Sequence, residues 1–430
     1  MQSPDKVARN GEPCDGDQAD ISPVERTTIR AEDRVATPAA IGGLVRDRNT
    51  WTFYWLLGLV GFLLNGLGAA LGSLKDQLHV DRAQVAFYPT LFAAGLLCIG
   101  VIGPRLVGAV GRVTLGRVSL GLIGAGALLL CSGWRPATMV GAALLGLGTA
   151  TVVQLVSAGL ADQHGARAPA ALGEANALSS AASVAGPLAV AAGIVVLGDW
   201  RVGYLLLPLA AIVLLAPRIQ APPRTDHPAD LHELRAAAGL PPGPMLGRWM
   251  TLLLSISVEF CMVFWVADAL SAWHGAGAGL GAASTGLFVA GMAASRTGSQ
   301  RLIGDRHPLR VTSASAAVAL AGFAVFWAAP DIAVAAVGLV VMGAGVALLY
   351  PLSLARVVAA WPDRPDGAAA RAGLASGMAI GVSPLVLAAL ADLVGLRTAY
   401  LLVPCILVGL ILRSRWAYRR EQVVRTAQSS

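Results

Sequence analysis

Lysine is almost missing from this chain, with Lys6 and Lys75 the two examples among 430 residues. Neither follows a glycine, so there is no G-x-x-x-x-G-K-[ST] loop to cradle nucleotide phosphates, and work driven by ATP is excluded. Histidine is scarce as well: His79, His164, His227, His232, His274 and His307 all lie outside the long apolar stretches. That placement supports neither a histidine proton relay nor a histidine metal cluster inside a membrane. The five cysteines have no paired spacing; Cys98, Cys131, Cys261 and Cys405 sit in apolar runs as small packing residues, and Cys14 sits in a polar tail. Charged residues make up 13% of the chain, and no Ser/His/Asp or Cys/His spacing marks a hydrolase. The expectation is a protein without enzymatic activity, metal or cofactor.

What the chain has in abundance is apolar surface. Apolar side chains account for 56% of it before its 50 glycines are counted, and the mean hydropathy is +0.66, far from the composition of soluble domains. A helix rises about 1.5 Å per residue, so roughly 20 apolar residues cross a hydrocarbon core about 30 Å thick. Twelve such stretches are predicted, at 51–72, 85–106, 113–133, 137–160, 171–197, 200–217, 249–270, 283–303, 310–329, 332–356, 372–394 and 397–415. The runs are continuous and do not alternate, which excludes barrel strands. The predicted fold class is all-α and integral to the membrane.

Residues 1–50 are polar, rich in charge, Pro and Gly, and lack the apolar core of a signal peptide, so they read as a disordered tail. With that tail in the cytoplasm, 26 basic residues fall on the cytoplasmic side, Arg296 lies within a helix, and five (Lys75, Arg82, Arg135, Arg201, Arg397) lie outside. This asymmetry predicts a multi-pass protein of the cytoplasmic membrane with both termini inside. It also accounts for the net charge of +7 without a nucleic-acid partner, since no basic loop has interleaved aromatics.

The chain also repeats itself. "RVGYLLLP" (201–208) returns as "RTAYLLVP" (397–404), with five of eight positions identical at an offset of 196. At the same offset "LFAAGLLCIGVIGPRLVG" (91–108) and "LFVAGMAASRTGSQRLIG" (287–304) share seven of eighteen positions. "VGAALLGLGTA" (140–150) and "VGLVVMGAGVA" (337–347) share five of eleven at offset 197, as do "PLAVAA" (187–192) and "PLVLAA" (384–389) in register. Coincidence does not hold register across four helices. The expected architecture is a duplicated six-helix unit in two pseudo-twofold-related bundles, 51–217 and 249–415, joined by a cytoplasmic loop at 218–248 and followed by a cytoplasmic tail at 416–430. Such a seam at mid-bilayer can be opened to one side and then the other.

In these features the chain resembles the major facilitator superfamily of 12-helix secondary transporters. The resemblance covers about residues 51–415 and rests on the six-plus-six repeat, Gly186–Pro187, "DWRVGY" at 199–204 and the basic loops after the second and eighth stretches. The family's G-x-L-x-D-R-x-G-R loop is partly kept as "GPRLVGAVGR" (103–112), where Gly108 replaces the acid and Gly111 and Arg112 remain. The second copy, "RLIGDR" (301–306), keeps Asp305 and Arg306, which the resemblance implies as parts of a cytoplasmic latch. The same charges also suit an ordinary cytoplasmic loop.

Two ionisable residues lie deep in the predicted spans, where a charge costs a few kcal/mol at least. Glu259 is near the middle of "WMTLLLSISVEFCMVFWVADAL", and a mid-bilayer acid that loads on one side and unloads on the other couples protons to solute; the bland reading is a Glu that fixes helix packing. Arg296 replaces Gly100 of the first copy and either snorkels to the interface, pairs with an acid, or attracts an anionic substrate. Asn65, Gln154 and Tyr350 are candidates to line a substrate cavity, or else to make interhelical hydrogen bonds. Glu174 and Arg371 occupy matched positions at offset 197 and form a candidate gate; solvated helix ends would look the same. Three readings follow: a proton-coupled exporter of a small organic solute, favoured slightly by Gly186–Pro187; an importer of a polar metabolite such as a sugar or carboxylate; and a non-transporting scaffold or sensor. The expected partners are a small-molecule substrate, protons and the lipid bilayer, acting on a monomer.

Overall fold

A computed structural model describes residues 44–219, 243–303, 306–360 and 365–429, and the chain from Arg46 to Ser430 forms one compact unit. Most of the predicted N-terminal tail, most of the central loop and Asp305 lie outside the described residues. Within the first half the helices are α1 (Arg48–Leu78), α2 (Phe87–Val110), α3 (Arg112–Leu130), α4 (Arg135–His164), α5 (Ala168–Leu197) and α6 (Trp200–Leu215). Within the second they are α7 (Gly243–His274), α8 (Ala278–Ile303), α9 (Pro308–Trp327), α10 (Ile332–Val346, resuming as Leu349–Val358), α11 (Pro365–Val394) and α12 (Leu402–Ser429). Among the described residues every regular element is helical. Eleven segments are long and apolar enough to cross a membrane, and one of them, Arg135–Leu197, contains both α4 and α5. The twelve predicted crossings are therefore all present.

Local chemistry sets the ends. Asp47 accepts a hydrogen bond from Thr50 N at 2.8 Å and so caps α1. At the other end of α1 His79 turns the chain in the left-handed region with φ 51°. A single 3-10 turn at Gly165–Arg167 separates α4 from α5. Two boundaries differ from expectation: α7 starts at Gly243, inside the predicted loop, and α12 runs to Ser429, through the predicted tail. The extension of α12 is held by side chains, with Arg420 over the Trp416 ring at 4.7 Å and Arg310 of α9 over Tyr418 at 4.6 Å.

The duplication is visible contact by contact. A Cβ added to Gly126 of α3 would lie 2.8 Å from the Gly141 carbonyl of α4; one added to Gly322 of α9 would lie 2.9 Å from the Gly338 carbonyl of α10. Gly146 presses on the Phe92 carbonyl of α2 just as Gly343 presses on that of Phe288 in α8. These partners are related by the same offsets of 196 and 197, so small residues bring matching backbones together in both halves. Tyr204 and Tyr400, from the repeated octapeptide, are both fully buried. Outward faces are apolar and open, with Val195 and Val196 about three-quarters exposed and Leu393 81% exposed, a surface suited to lipid and not to water.

The halves meet through α1, where Gly68 presses on the Val263 carbonyl of α7, and along two further seams. Between α2 and α11, Thr90 Oγ1 donates to the Gly381 carbonyl at 2.7 Å, and Leu97 sits against Gly377. Between α5 and α8, Leu188 and Val195 pack on Gly286 and Gly279.

Candidate transport site

Helix α7 is the spine of the site. Its apolar residues, among them Leu252, Ile256, Val263 and Val266, are buried, which fixes the helix inside the protein and carries its few polar residues there too. Glu259 is half-buried. Arg296 of α8 lies within electrostatic reach of it, and both act on the ring hydroxyl of Tyr350 in α10. Three sequence candidates from three helices thus lie within electrostatic reach of one another.

Proline chemistry explains how Arg296 is held. Pro351 has no N–H and cannot bond the carbonyl four residues before it, that of Ala347. Helix α10 is interrupted there, between Val346 and Leu349. Arg296 Nε donates to the released Ala347 carbonyl at 3.4 Å, and its NH1 reaches Ser180 Oγ of α5, also at 3.4 Å. The second contact crosses from one half to the other. Arg296 therefore points into the bundle and bridges the halves in place of snorkelling to the interface.

Near the far end of α7, nine residues and about 14 Å beyond Glu259, stands a residue that sequence reasoning missed. Asp268 is 8% exposed and forms ion pairs with two cations of the first half, Lys75 at the end of α1 and Arg82 in the turn before α2, the latter at 2.6 Å. Asp392 of α11 adds to the same end by accepting from Ala83 N at 3.2 Å. These bonds tie the halves together at the end of the bundle opposite Arg46 and α12. The lone signal in the sequence was an acid within an apolar span, close enough to its end to pass as solvated.

The remaining candidates are dispersed. Asn65 donates to Gly61 O of its own helix at 3.0 Å, and Gln154 donates to Ile99 O of α2 at 3.1 Å. The Asn65 bond is local to α1, whereas that of Gln154 joins α4 to α2. Glu174 is held by Arg46 through two bonds of 2.6 and 2.8 Å and by Tyr54 at 3.0 Å, so its carboxylate is engaged within its own half and not with Arg371. Arg371 sits where its backbone carbonyl accepts from Trp249 Nε1 at 2.9 Å. Arg306 is exposed at the start of α9, next to His307, whose Nδ1 accepts from Leu309 N at 3.3 Å. Arg112 finds its acid in α4, pairing with Asp162, so the missing acid at Gly108 is replaced by one from a neighbouring helix.

The Major Facilitator Superfamily model matches residues 50–330. The chain belongs to that superfamily. No curated protein sequence matches it. Among solved structures it is similar to a bacterial homolog of the human lysosomal transporter Spinster in an inward-facing, occupied conformation, with a TM-score of 0.69, 11% identity, and coverage of 88% of this chain and 98% of that one. It is also similar to the E. coli fucose:proton symporter FucP, with a TM-score of 0.55, 15% identity, and coverage of 86% and 99%. At such identities the likeness speaks to fold. This superfamily member is accordingly a multi-pass membrane transporter.

Proposed function

We propose that the chain is a proton-coupled secondary transporter that exports a small organic solute by alternating access, with both termini in the cytoplasm. The observation that carries this reading is that Glu259, Arg296 and Tyr350, from three helices, lie within electrostatic reach of one another. A carboxylate beside a guanidinium is stabilised as the anion. When the two separate in a medium of low dielectric, the acid takes a proton instead. Arg296 is bonded to α5 and to α10, so a rocking of the halves changes its distance from Glu259 and with it the protonation of the acid. Solute and proton then compete for the same cluster, which is the physical basis of exchange.

The Lys75–Asp268–Arg82 cluster acts in this scheme as the outer gate. Glu174, Arg371, Asp305 and Arg306 serve the opposite gate, with Arg46 as the competitor that holds Glu174 in the present state. Asn65 and Gln154 both bond to backbone carbonyls, which speaks for a cavity poor in free polar groups and against a sugar-like substrate.

The test is flux into proteoliposomes under an imposed pH gradient, across a library of apolar and polar solutes. A gradient-driven flux that Glu259→Gln abolishes, while solute exchange without a gradient persists, supports the reading. Full gradient-driven flux in Glu259→Gln removes it.

A further inference from the structure

At the end of the bundle that carries α12's C-terminal turns, away from the seam between the halves, the second half encloses a cavity of about 510 Å³. Its walls come from the start of α7, the end of α10 and the last turns of α12, and they carry Arg248, Arg356, Arg413 and Arg420 against a single acid, Glu421. That acid is already committed: Glu421 bonds Arg356 at 2.9 Å and lies 3.2 Å from His307 Nε2. Arg413 is fixed by its Nε, which donates to Gly247 O at 3.0 Å and Thr251 Oγ1 at 2.9 Å. The absence of a side chain at Gly247 lets the Arg413 guanidinium lie against the backbone. Arg356 is near enough for its charge to act on Arg413. Arg248 has no hydrogen-bond or ion-pair partner among the described residues.

One further feature points to a ligand. At the rim Trp416 is 54% exposed and carries Arg420 over its ring. An open indole with a cation on its face at the end of a membrane helix is the chemistry of the headgroup layer.

We propose that this cavity binds a phosphate-bearing anion and that its occupant is the headgroup of an anionic phospholipid. Guanidinium groups match phosphate oxygens in planar, charge-assisted pairs, and basic pockets between membrane helices suit anionic headgroups. The phosphate oxygens are received by Arg413 and Arg248, and the acyl chains lie along the exposed apolar face of α12. The site is independent of the transport reading, since Glu259 and Arg296 take no part in it.

Native mass spectrometry of the full chain, released from nanodiscs, gives the test. One set of discs contains phosphatidylglycerol in a phosphatidylcholine background; the other contains phosphatidylcholine alone, with inorganic phosphate added to the buffer. Retention of phosphatidylglycerol by the wild type, weakened roughly tenfold or more in Arg248→Gln/Arg420→Gln, supports the proposal. That pair leaves the Arg413 bonds to α7 intact, and an unchanged melting temperature in phosphatidylcholine alone verifies that the variant folds. Equal retention by wild type and variant overturns the site. Retention of inorganic phosphate in place of lipid overturns the occupant, and retention of neither overturns both.

Discussion

The two halves of this transporter share a backbone plan and differ in what it carries. In the first, α3 meets α4 through Gly126 and Gly141; in the second, α9 meets α10 through Gly322 and Gly338, with added-Cβ distances of 2.8 and 2.9 Å. Yet the deep charges fall on one side of the duplication. Glu259 and Arg296 occupy the positions of Leu63 and Gly100 at offset 196, and Leu63 is fully buried. Duplication thus supplies geometry twice and leaves one copy free to acquire chemistry. In the proposed mechanism the second copy is the chemical half, and the first provides the surface against which it works, through Ser180, Lys75 and Arg82.

The comparison is sharpened most by Arg296. Its replacement by Ala removes the cation whose charge acts on Glu259 and the bond to Ser180 across the halves, and gradient-driven flux in proteoliposomes falls roughly tenfold or more. Gly100→Ala, at the matched position where an added Cβ meets nothing within 4 Å, leaves flux unchanged; a comparable loss there would erase the asymmetry. Next comes the outer gate. Asp268→Asn removes the acid facing Lys75 and Arg82, which costs about 2–3 kcal/mol, discounted because both cations keep some contact with water. Spin labels on the outer ends of α1 and α7 would then report a shift toward longer separations. Unchanged distances would mean that these ion pairs do not hold the ends together.

The glycine contacts test the shared plan. Gly146→Val and Gly343→Val each drive a side chain into a facing carbonyl and should destabilise the protein by about 1–3 kcal/mol, to similar extents, in thermal unfolding monitored in detergent. Markedly unequal effects would show that one half has drifted from the repeat. The smallest effect lies at Asp47. Burial pushes this carboxyl up, but hydrogen bonds from Thr50 and Gln163 together outweigh burial and hold its pKa below the ordinary 3.8. Its stabilising contribution is thus complete above that value and is lost as pH falls through the lower folded value. Asp47→Ala should cost about 1 kcal/mol at neutral pH, and the difference from wild type should vanish in strong acid.

Fold and chemistry were legible in the sequence to different degrees. The twelve crossings and the duplication could be read because apolar length and register are local and repetitive properties. Glu259 and Arg296 stood out because charge in an apolar run has no cheap explanation. Tyr350 joined them for its polarity alone, and the helix break that Pro351 imposes beside it explains why Arg296 reaches that turn. Asp268 was missed because its partners, Lys75 and Arg82, lie more than 180 residues away in the chain, and only packing of the halves brings them together. Glu174 teaches a related lesson: symmetry points to Arg371, whereas in this structure Arg46, just before α1, binds both carboxylate oxygens.

Inside each bundle the closest approaches are main chain on main chain, with glycine on one side and a carbonyl on the other. Such joints have no deformable cushion between them, so neither bundle can shear without breaking them. Each therefore moves as one stiff leaf, and the give in the molecule is confined to the boundary. There, beside one close approach of Gly68 to the Val263 carbonyl, the bonds made by side chains such as Thr90 and Arg296 can change partner by a rotamer step while the leaves keep their shape.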